Sequence, residues 1–122
     1  MSKKILVADD EPNIVVALEY LLQHNGYEVH VARDGDEALK QIEAHVPDLV
    51  LLDIMMPLRS GYEVCKRIRE QPEWRHIKIV MLSAKGRDAE VNKGMAAGAD
   101  LYVTKPFSTR ELVDKINGLL AS

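Results

Sequence analysis

The sequence predicts an α/β fold, a doubly wound parallel sheet of five strands with helices on both faces. Short apolar runs alternate with stretches of helical periodicity five times along the 122 residues, which is the pattern of repeated β-α units. The run Leu49–Leu52 contains four consecutive aliphatic residues, typical of a parallel strand that is buried on both faces. Right-handed connections between such strands place helices on both sides of the sheet. No linker, low-complexity tract or internal repeat interrupts the pattern, so we expect a single domain over residues 1–122.

The first unit consists of a strand at Ile5–Ala8 and a helix that begins near Pro12. Proline suits the first turn of a helix because its missing N–H has no partner to bind there. Apolar residues then follow at helical spacing, namely Ile14, Val15, Leu18, Leu21 and Leu22. Gly26 is predicted to end this helix in the left-handed conformation that glycine adopts readily.

The second unit is predicted to lie near an edge of the sheet. Glu28–Ala32 alternates between polar and apolar residues, which indicates a more exposed strand. The helix that follows ends before Pro47, and its apolar positions are Ala38, Leu39 and Ile42. The third strand is the buried aliphatic run, and it ends at Asp53.

The rest of the chain continues the alternation of helices and strands. The predicted elements are a helix at Gly61–Arg69, a strand at Ile77–Ser83, a helix at Arg87–Ala97, a strand at Leu101–Thr104 and a helix at Ser108–Leu120. Ser108 and Glu111 have the spacing of a capping box, which predicts the start of the last helix. Cys65 lies on the apolar face of the third helix, so we expect it to be a core residue and not a reactive thiol.

The composition excludes several classes of protein. A formal net charge of -3 and a pI near 5.8 give no sign of a surface that binds nucleic acid or a membrane directly. No apolar stretch is long enough to cross a membrane, and the N-terminus lacks the features of a secretory signal. The only cysteine, Cys65, cannot form an intramolecular disulfide, which fits a reducing compartment. We therefore expect a cytoplasmic protein.

Charged and hydroxyl side chains gather where the predicted strands end, at Asp9, Asp10, Asp53, Ser83 and Lys105. The carboxyl ends of parallel strands meet at one edge of a sheet, where ligands of α/β proteins bind. A single aspartate there could be only a turn former or a helix cap, but three carboxylates that lie close together repel one another and require a cation. Oxygen ligands without histidine or cysteine suit Mg²⁺ or Mn²⁺.

These residues resemble the receiver domain of bacterial two-component response regulators. Asp9-Asp10, Asp53, Ser83-Ala84 and Lys105-Pro106 occur in the order and spacing of that family, and the resemblance covers essentially the whole chain. It implies a flavodoxin-like sheet with strand order 2-1-3-4-5. It also implies a signalling switch that is controlled by phosphorylation and is not an enzyme with a substrate of its own, although the domain assists its own phosphorylation and dephosphorylation.

The resemblance also implies a role for each site residue. Asp53 is the implied phosphoacceptor, with Mg²⁺ bound directly by Asp10, by Asp53 and by the main-chain carbonyl of Met55, and by Asp9 through a water molecule. Lys105 is the implied phosphate contact, and Ser83 and Tyr102 correspond to the family's switch pair. A cis peptide is implied between Lys105 and Pro106. No organic cofactor is implied.

The implied partners are proteins. A sensor histidine kinase or a histidine phosphotransfer protein would supply the phosphoryl group. A downstream effector domain or partner protein would read the face formed by the fourth helix, the fifth strand and the fifth helix. Neither nucleic acid nor a membrane is expected to bind this domain directly.

Two other functions are compatible with parts of the pattern. A Mg²⁺-dependent phosphohydrolase with Asp53 as nucleophile would resemble the haloacid-dehalogenase-like phosphatases, which need a second aspartate where this chain has Met55. A flavodoxin-like protein that binds FMN would need hydroxyls and amides after the first strand. Asp9-Asp10-Glu11 would instead repel the phosphate.

Two weaker patterns lead to structural expectations. His24, His30, His45 and His76 lie on separate predicted elements without ligand or catalytic spacing, so we expect surface histidines. Gly61 follows the turn at Pro57, where a glycine permits a positive φ, a close approach of two backbones or a plain turn.

Overall fold

The computed structural model describes residues 3–83 and 97–121. The strands are β1 (Lys4–Ala8), β2 (Glu28–Ala32), β3 (Leu49–Asp53), β4 (Lys78–Ser83) and β5 (Leu101–Thr104). The helices are α1 (Pro12–His24), α2 (Gly35–His45), α3 (Gly61–Glu70), a one-turn 3-10 helix (Pro72–Trp74) and the C-terminal helix (Thr109–Leu120). The predicted helix at 87–97 lies outside the described residues apart from Ala97, which is in a turn.

The sheet has the predicted order β2-β1-β3-β4-β5, and all of its pairs are parallel. The exposed strand β2 occupies one edge, as its alternating sequence predicted. The register aligns Ala8 with Leu52, Asp53 with Leu82, and Ser83 with Thr104. The chain therefore leaves β1, β3, β4 and β5 at the same edge, where Asp9, Asp53 and Lys105 come close together.

Helices cover both faces of the sheet. Every residue of β3 is buried, and its side chains alternate between two apolar layers. Val50 and Leu52 belong to the layer that contains α2 and α3, and Leu49 and Leu51 belong to the layer that contains α1 and the C-terminal helix. Burial of an aliphatic side chain of this size contributes roughly 1.5 to 3 kcal/mol, so the central strand is fixed from both sides.

Three of the described helices, α2, α3 and the C-terminal helix, begin at side-chain caps. The Asp34 side chain accepts a hydrogen bond from the main-chain N–H of Glu37 at the start of α2. At α3 the capping box is complete, because Ser60 and Glu63 each accept a hydrogen bond from the other's main-chain N–H. At the C-terminal helix, where a box was predicted, the structure records only the bond from Glu111 N–H to the Ser108 side chain.

Arg69 on α3 joins three segments of the chain, a link that periodicity does not predict. Its guanidinium donates to the carbonyls of Gly98 at 2.9 Å and Ile77 at 2.8 Å, and pairs with the Asp100 carboxylate at 2.9 Å. The same carboxylate accepts a hydrogen bond from Ile79 N–H at 2.8 Å. The chain that leads into β5 is therefore held against the start of β4.

Buried Cys65 confirms the prediction of a core residue. Its thiol donates to the Ala97 carbonyl, and burial raises the pKa of the thiol to about 11. Of the four histidines expected at the surface, His24 and His76 are exposed, and His30 and His45 are partly buried. The rings of His30 and His45 stack with centroids 3.7 Å apart, because the end of α2 packs beside β2, and Glu28 lies 2.7 Å from His30.

Among residues 3–83 and 97–121, no helix combines the length and the apolar character needed to cross a membrane.

Candidate functional site

Three carboxylates meet at the carboxyl edge of the sheet. Asp9 and Asp10 follow β1, and Asp53 is the last residue of β3. One oxygen from each lies within 4.8 Å of the others. Asp9 is 0% exposed and Asp53 is 4% exposed, whereas Asp10 faces solvent. Since carboxylates this close repel one another, the cluster needs positive charge.

Among the described residues, Lys105 brings a positive charge to the cluster. It follows β5, and its Nζ lies 2.9 Å from Asp9 Oδ2, 2.9 Å from Glu11 Oε1 and 3.6 Å from Asp53 Oδ1. Its main-chain N–H donates to the Ser83 carbonyl, and its peptide bond to Pro106 is cis. Burial lowers the pKa of Lys105, but the carboxylates of Glu11, Asp9 and Asp53 outweigh burial, so the pKa is raised overall. The ammonium therefore stays charged.

Asp53 is difficult to ionise in this environment. Burial, followed by the charge of Asp9, raises the pKa of Asp53 from 3.8 to about 7. Lys105 and the N–H of Met55 act in the opposite direction, the latter from 3.3 Å. The site thus holds a carboxylate whose negative charge is only partly compensated by protein groups.

The residues fit a hard divalent cation such as Mg²⁺. Buried Asp9 Oδ2 accepts no hydrogen bond of normal geometry from any described residue, although Nζ of Lys105 lies beside it. The donor atoms of the cluster are all carboxylate oxygens, which Mg²⁺ prefers to nitrogen or sulfur. A cation between these oxygens would relieve both the repulsion and the unsatisfied buried atom.

The loop after Asp53 passes unusually close to the backbone of Asp53. A Cβ on Gly61 would lie 2.6 Å from the Asp53 carbonyl oxygen, so the glycine is there for close approach, one of the three predicted alternatives. Leu58 has φ = 69°. This left-handed conformation is energetically unfavourable for any residue that carries a side chain. The Leu58 side chain and that of Met55 are both exposed, by 73% and 74%.

The remaining predicted residues lie on the neighbouring strands. Ser83 is the last residue of β4 and is buried. Tyr102 on β5 is half-buried and packs against the core layer that contains Met81. The roles of the Met55 carbonyl, the water beside Asp9 and the switch pair stay predictions. Sequence reasoning missed the contact of Glu11 with Lys105, although Glu11 directly follows the paired aspartates.

The raised pKa of Asp53 predicts a pH dependence of stability in the metal-free protein. Its carboxylate ionises more readily in the unfolded chain, so Asp53 opposes folding increasingly as pH rises from about 4 to about 7. Asp53→Asn lacks this group and should be more stable than wild type at pH 8 by about 1 to 3 kcal/mol, with no such difference near pH 4. Urea unfolding in a chelator measures both proteins. If the difference in unfolding free energy between the two proteins were constant between pH 4 and 8, the pKa of Asp53 would not be raised in the folded protein.

Comparison with known proteins gives one consistent family. The model of the response regulator receiver domain matches residues 5–117. The alkaline phosphatase synthesis transcriptional regulatory protein PhoP of Bacillus subtilis is 48% identical over 120 residues, which is 98% of this chain and 49% of that protein. The phosphate regulon transcriptional regulatory protein PhoB of Rhizobium meliloti is 44% identical, covering 98% of this chain and 53% of that protein. The chain thus spans about half the length of these relatives.

A solved structure of a receiver domain has the same fold as this chain. The BeF3-activated receiver domain of DrrB, from Thermotoga maritima, superimposes with a TM-score of 0.92 and 34% identity over 100% of both chains.

Proposed function

Because the chain belongs to the response regulator receiver domain family, we propose that Asp53 is its phosphoacceptor. Receiver domains of the PhoP and PhoB type act as phosphorylation-dependent switches in two-component signalling. The observation that carries the assignment is the buried Asp53 carboxylate at the end of the central strand, with Asp9, Asp10 and the Lys105 ammonium around it. Phosphoryl transfer depends mainly on positioning and charge neutralisation, and this arrangement supplies both.

In the proposed reaction an Asp53 oxygen attacks the phosphorus of a phosphohistidine on the donor protein. The new bond joins that oxygen to phosphorus, the bond from phosphorus to the imidazole nitrogen breaks, and the product is an acyl phosphate. Asp53 is held for this attack because β3 is buried on both faces and Met55 N–H binds one carboxylate oxygen. The other oxygen is then the candidate nucleophile.

Two side chains from other strands act on the phosphoryl oxygens in this proposal. Lys105, whose ammonium already lies 3.6 Å from Asp53 Oδ1, can donate to one of them in a charge-assisted hydrogen bond. The hydroxyl of Ser83, at the end of the adjacent strand β4, can donate to another. Both bonds form where negative charge gathers during transfer.

The cation site belongs to the same proposal. Asp10 and Asp53 would bind Mg²⁺ directly together with the main-chain carbonyl of Met55, and Asp9 would bind it through a water molecule. Mn²⁺ suits the same oxygen ligands. When bound, the cation neutralises the phosphoryl oxygens and the acidic cluster during transfer.

The partners follow from the same assignment. A histidine kinase or a histidine phosphotransfer protein donates the phosphoryl group. Since the matched relatives are named as transcriptional regulators and are about twice as long as this chain, the proposed output is an effector that controls transcription. The domain itself has no substrate to turn over.

A Mg²⁺-dependent phosphohydrolase is the other candidate. It would need a general acid two residues after Asp53, where the exposed Met55 side chain lies. Incubation with acetyl phosphate followed by mass mapping distinguishes the two. Phosphate retained on Asp53 supports the switch, whereas phosphate on Ser83 with Asp53 unmodified, or sustained turnover of a generic phosphatase substrate, overturns it.

We predict that phosphorylation changes the environment of Tyr102. Movement of Ser83 toward a phosphoryl oxygen leaves space behind it, and Tyr102 is half-buried on the adjacent strand β5. If Tyr102 exchanges between two positions, a few kcal/mol of extra contact energy in the phosphorylated state suffices to shift that equilibrium. The predicted output face also includes the C-terminal helix and the predicted fourth helix, which lies outside the described residues.

NMR spectra with and without beryllofluoride, a phosphoryl mimic, test this coupling. Shifts at Tyr102 and along the C-terminal helix are expected in wild type and not in Asp53→Asn. Shifts confined to the loops around Asp9, Asp53 and Ser83 would contradict it.

A further inference from the structure

Glu11 is a fourth carboxylate at the site. It pairs with the Lys105 ammonium. Its Oε1 accepts a hydrogen bond from Lys105 Nζ at 2.9 Å. The same ammonium lies 2.9 Å from Asp9 and 3.6 Å from Asp53. Lys105 thus lies beyond normal hydrogen-bond distance from Asp53 and closer to Asp9 and Glu11.

The two residues that hold Lys105 differ in how easily they can release it. The Asp9 carboxylate is fully buried and accepts a hydrogen bond from the main-chain N–H of Glu11 at 2.9 Å. The side chain of Glu11 is 58% exposed, and it makes no capping bond to α1 although Glu11 is the N-cap residue. Water can solvate the Glu11 carboxylate when it releases the lysine, whereas a buried carboxylate has no such replacement.

We propose that Glu11 is a positioning residue, which draws Lys105 away from Asp53 in the unphosphorylated domain and releases it when a phosphoryl group arrives. The inference rests on the proposed function, with Asp53 as acceptor and Lys105 as phosphate contact. A phosphoryl group adds about two negative charges at pH 7, so it attracts the ammonium and repels the Glu11 carboxylate at the same time. The identity of residue 11 then sets how readily the site accepts a phosphoryl group.

Substitutions at this position test the contact. Glu11→Gln removes the charge and weakens the bond to Lys105. Glu11→Asp keeps the charge but shortens the side chain, and aspartate at an N-cap turns back to bind its own helix. Glu19→Gln is the control, because it makes the same charge change roughly 12 Å further along α1.

The first readout is the affinity for beryllofluoride in the presence of Mg²⁺, measured by titration calorimetry. An exposed ion pair of this kind corresponds to an effect of up to about fivefold in a binding constant. We expect Glu11→Gln to bind about two- to fivefold more tightly than wild type, Glu11→Asp to change in the same direction, and Glu19→Gln to match wild type.

The Lys105 ammonium itself gives a second readout that needs neither metal nor phosphoryl mimic. In the metal-free protein, its ¹H–¹⁵N signal should broaden through faster exchange with water in both Glu11 variants and stay unchanged in Glu19→Gln. Unchanged signals in the Glu11 variants would show that residue 11 does not hold the lysine.

The outcomes separate this inference from the proposed function. If wild type binds beryllofluoride, Asp53→Asn does not, and both Glu11 variants match wild type, the function holds and the role of Glu11 is overturned. Tighter binding by Glu11→Gln alone would show a general effect of charge and would also overturn the positioning role. If wild type itself does not bind, the proposed function fails and takes the inference with it.

Discussion

Asp53→Asn is expected to abolish both phosphorylation by acetyl phosphate and binding of beryllofluoride. The amide keeps the size and place of the carboxylate at the end of β3, so the fold should persist. It is, however, too weak a nucleophile to form the acyl phosphate, and it offers neither the charge nor the oxygen pair that the mimic and the cation need. Intact mass after incubation, with and without Mg²⁺, measures the result.

Asp114→Asn is a suitable control, because Asp114 is exposed on the C-terminal helix and the substitution removes the same charge. The control should take up one phosphoryl group as wild type does. Phosphate uptake by Asp53→Asn at the wild-type level would place the acceptor elsewhere.

Asp10→Ala is expected to weaken Mg²⁺ binding by at least about tenfold, since loss of even an outer-shell partner commonly costs that much affinity. Asp10 is the exposed member of the three-carboxylate cluster, so its removal should leave the core intact. Relief of its repulsion with Asp9 and Asp53 should stabilise the metal-free protein by roughly 1 kcal/mol. Calorimetric titration with Mg²⁺ and urea unfolding in a chelator measure the two effects.

The two effects have opposite signs, which separates them from general damage to the fold. Asp114→Ala provides the comparison for loss of a surface carboxylate. A Mg²⁺ affinity equal to that of wild type in Asp10→Ala would show that the cluster is not the metal site.

The architecture and the convergence of the site could be predicted because both follow from local patterns. Runs such as Leu49–Leu52 determine which segments are buried strands, and parallel pairing then brings the ends of those strands to one edge. Asp53 is the last residue of β3, and Asp9 and Lys105 directly follow β1 and β5, so their positions in the sequence predict their proximity.

Contacts made by long side chains could not be predicted in this way. Glu11 and Arg69 reach partners far along the chain, and the direction they take depends on rotamers and on the path of loops, which have no periodicity. The stack of His30 on His45 likewise depends on how the end of α2 packs beside β2. In the α3 capping box, Ser60 and Glu63 did have the expected spacing, but they follow a turn whose path only the structure defines.

The placement of the site residues at positions 9, 53 and 105 also has a consequence for how the protein is made. A growing chain contains Asp9, Asp10 and Asp53 well before Lys105 and strand β5 are synthesised. The three carboxylates are therefore made before the ammonium that compensates their charge. The contacts of Lys105 with Asp9, Glu11 and Asp53 join distant parts of the sequence, and such contacts form late in folding because long loops must close first. The site should therefore appear only when the final strand and helix have docked. A nascent chain that lacks β5 and the C-terminal helix would then lack the assembled site.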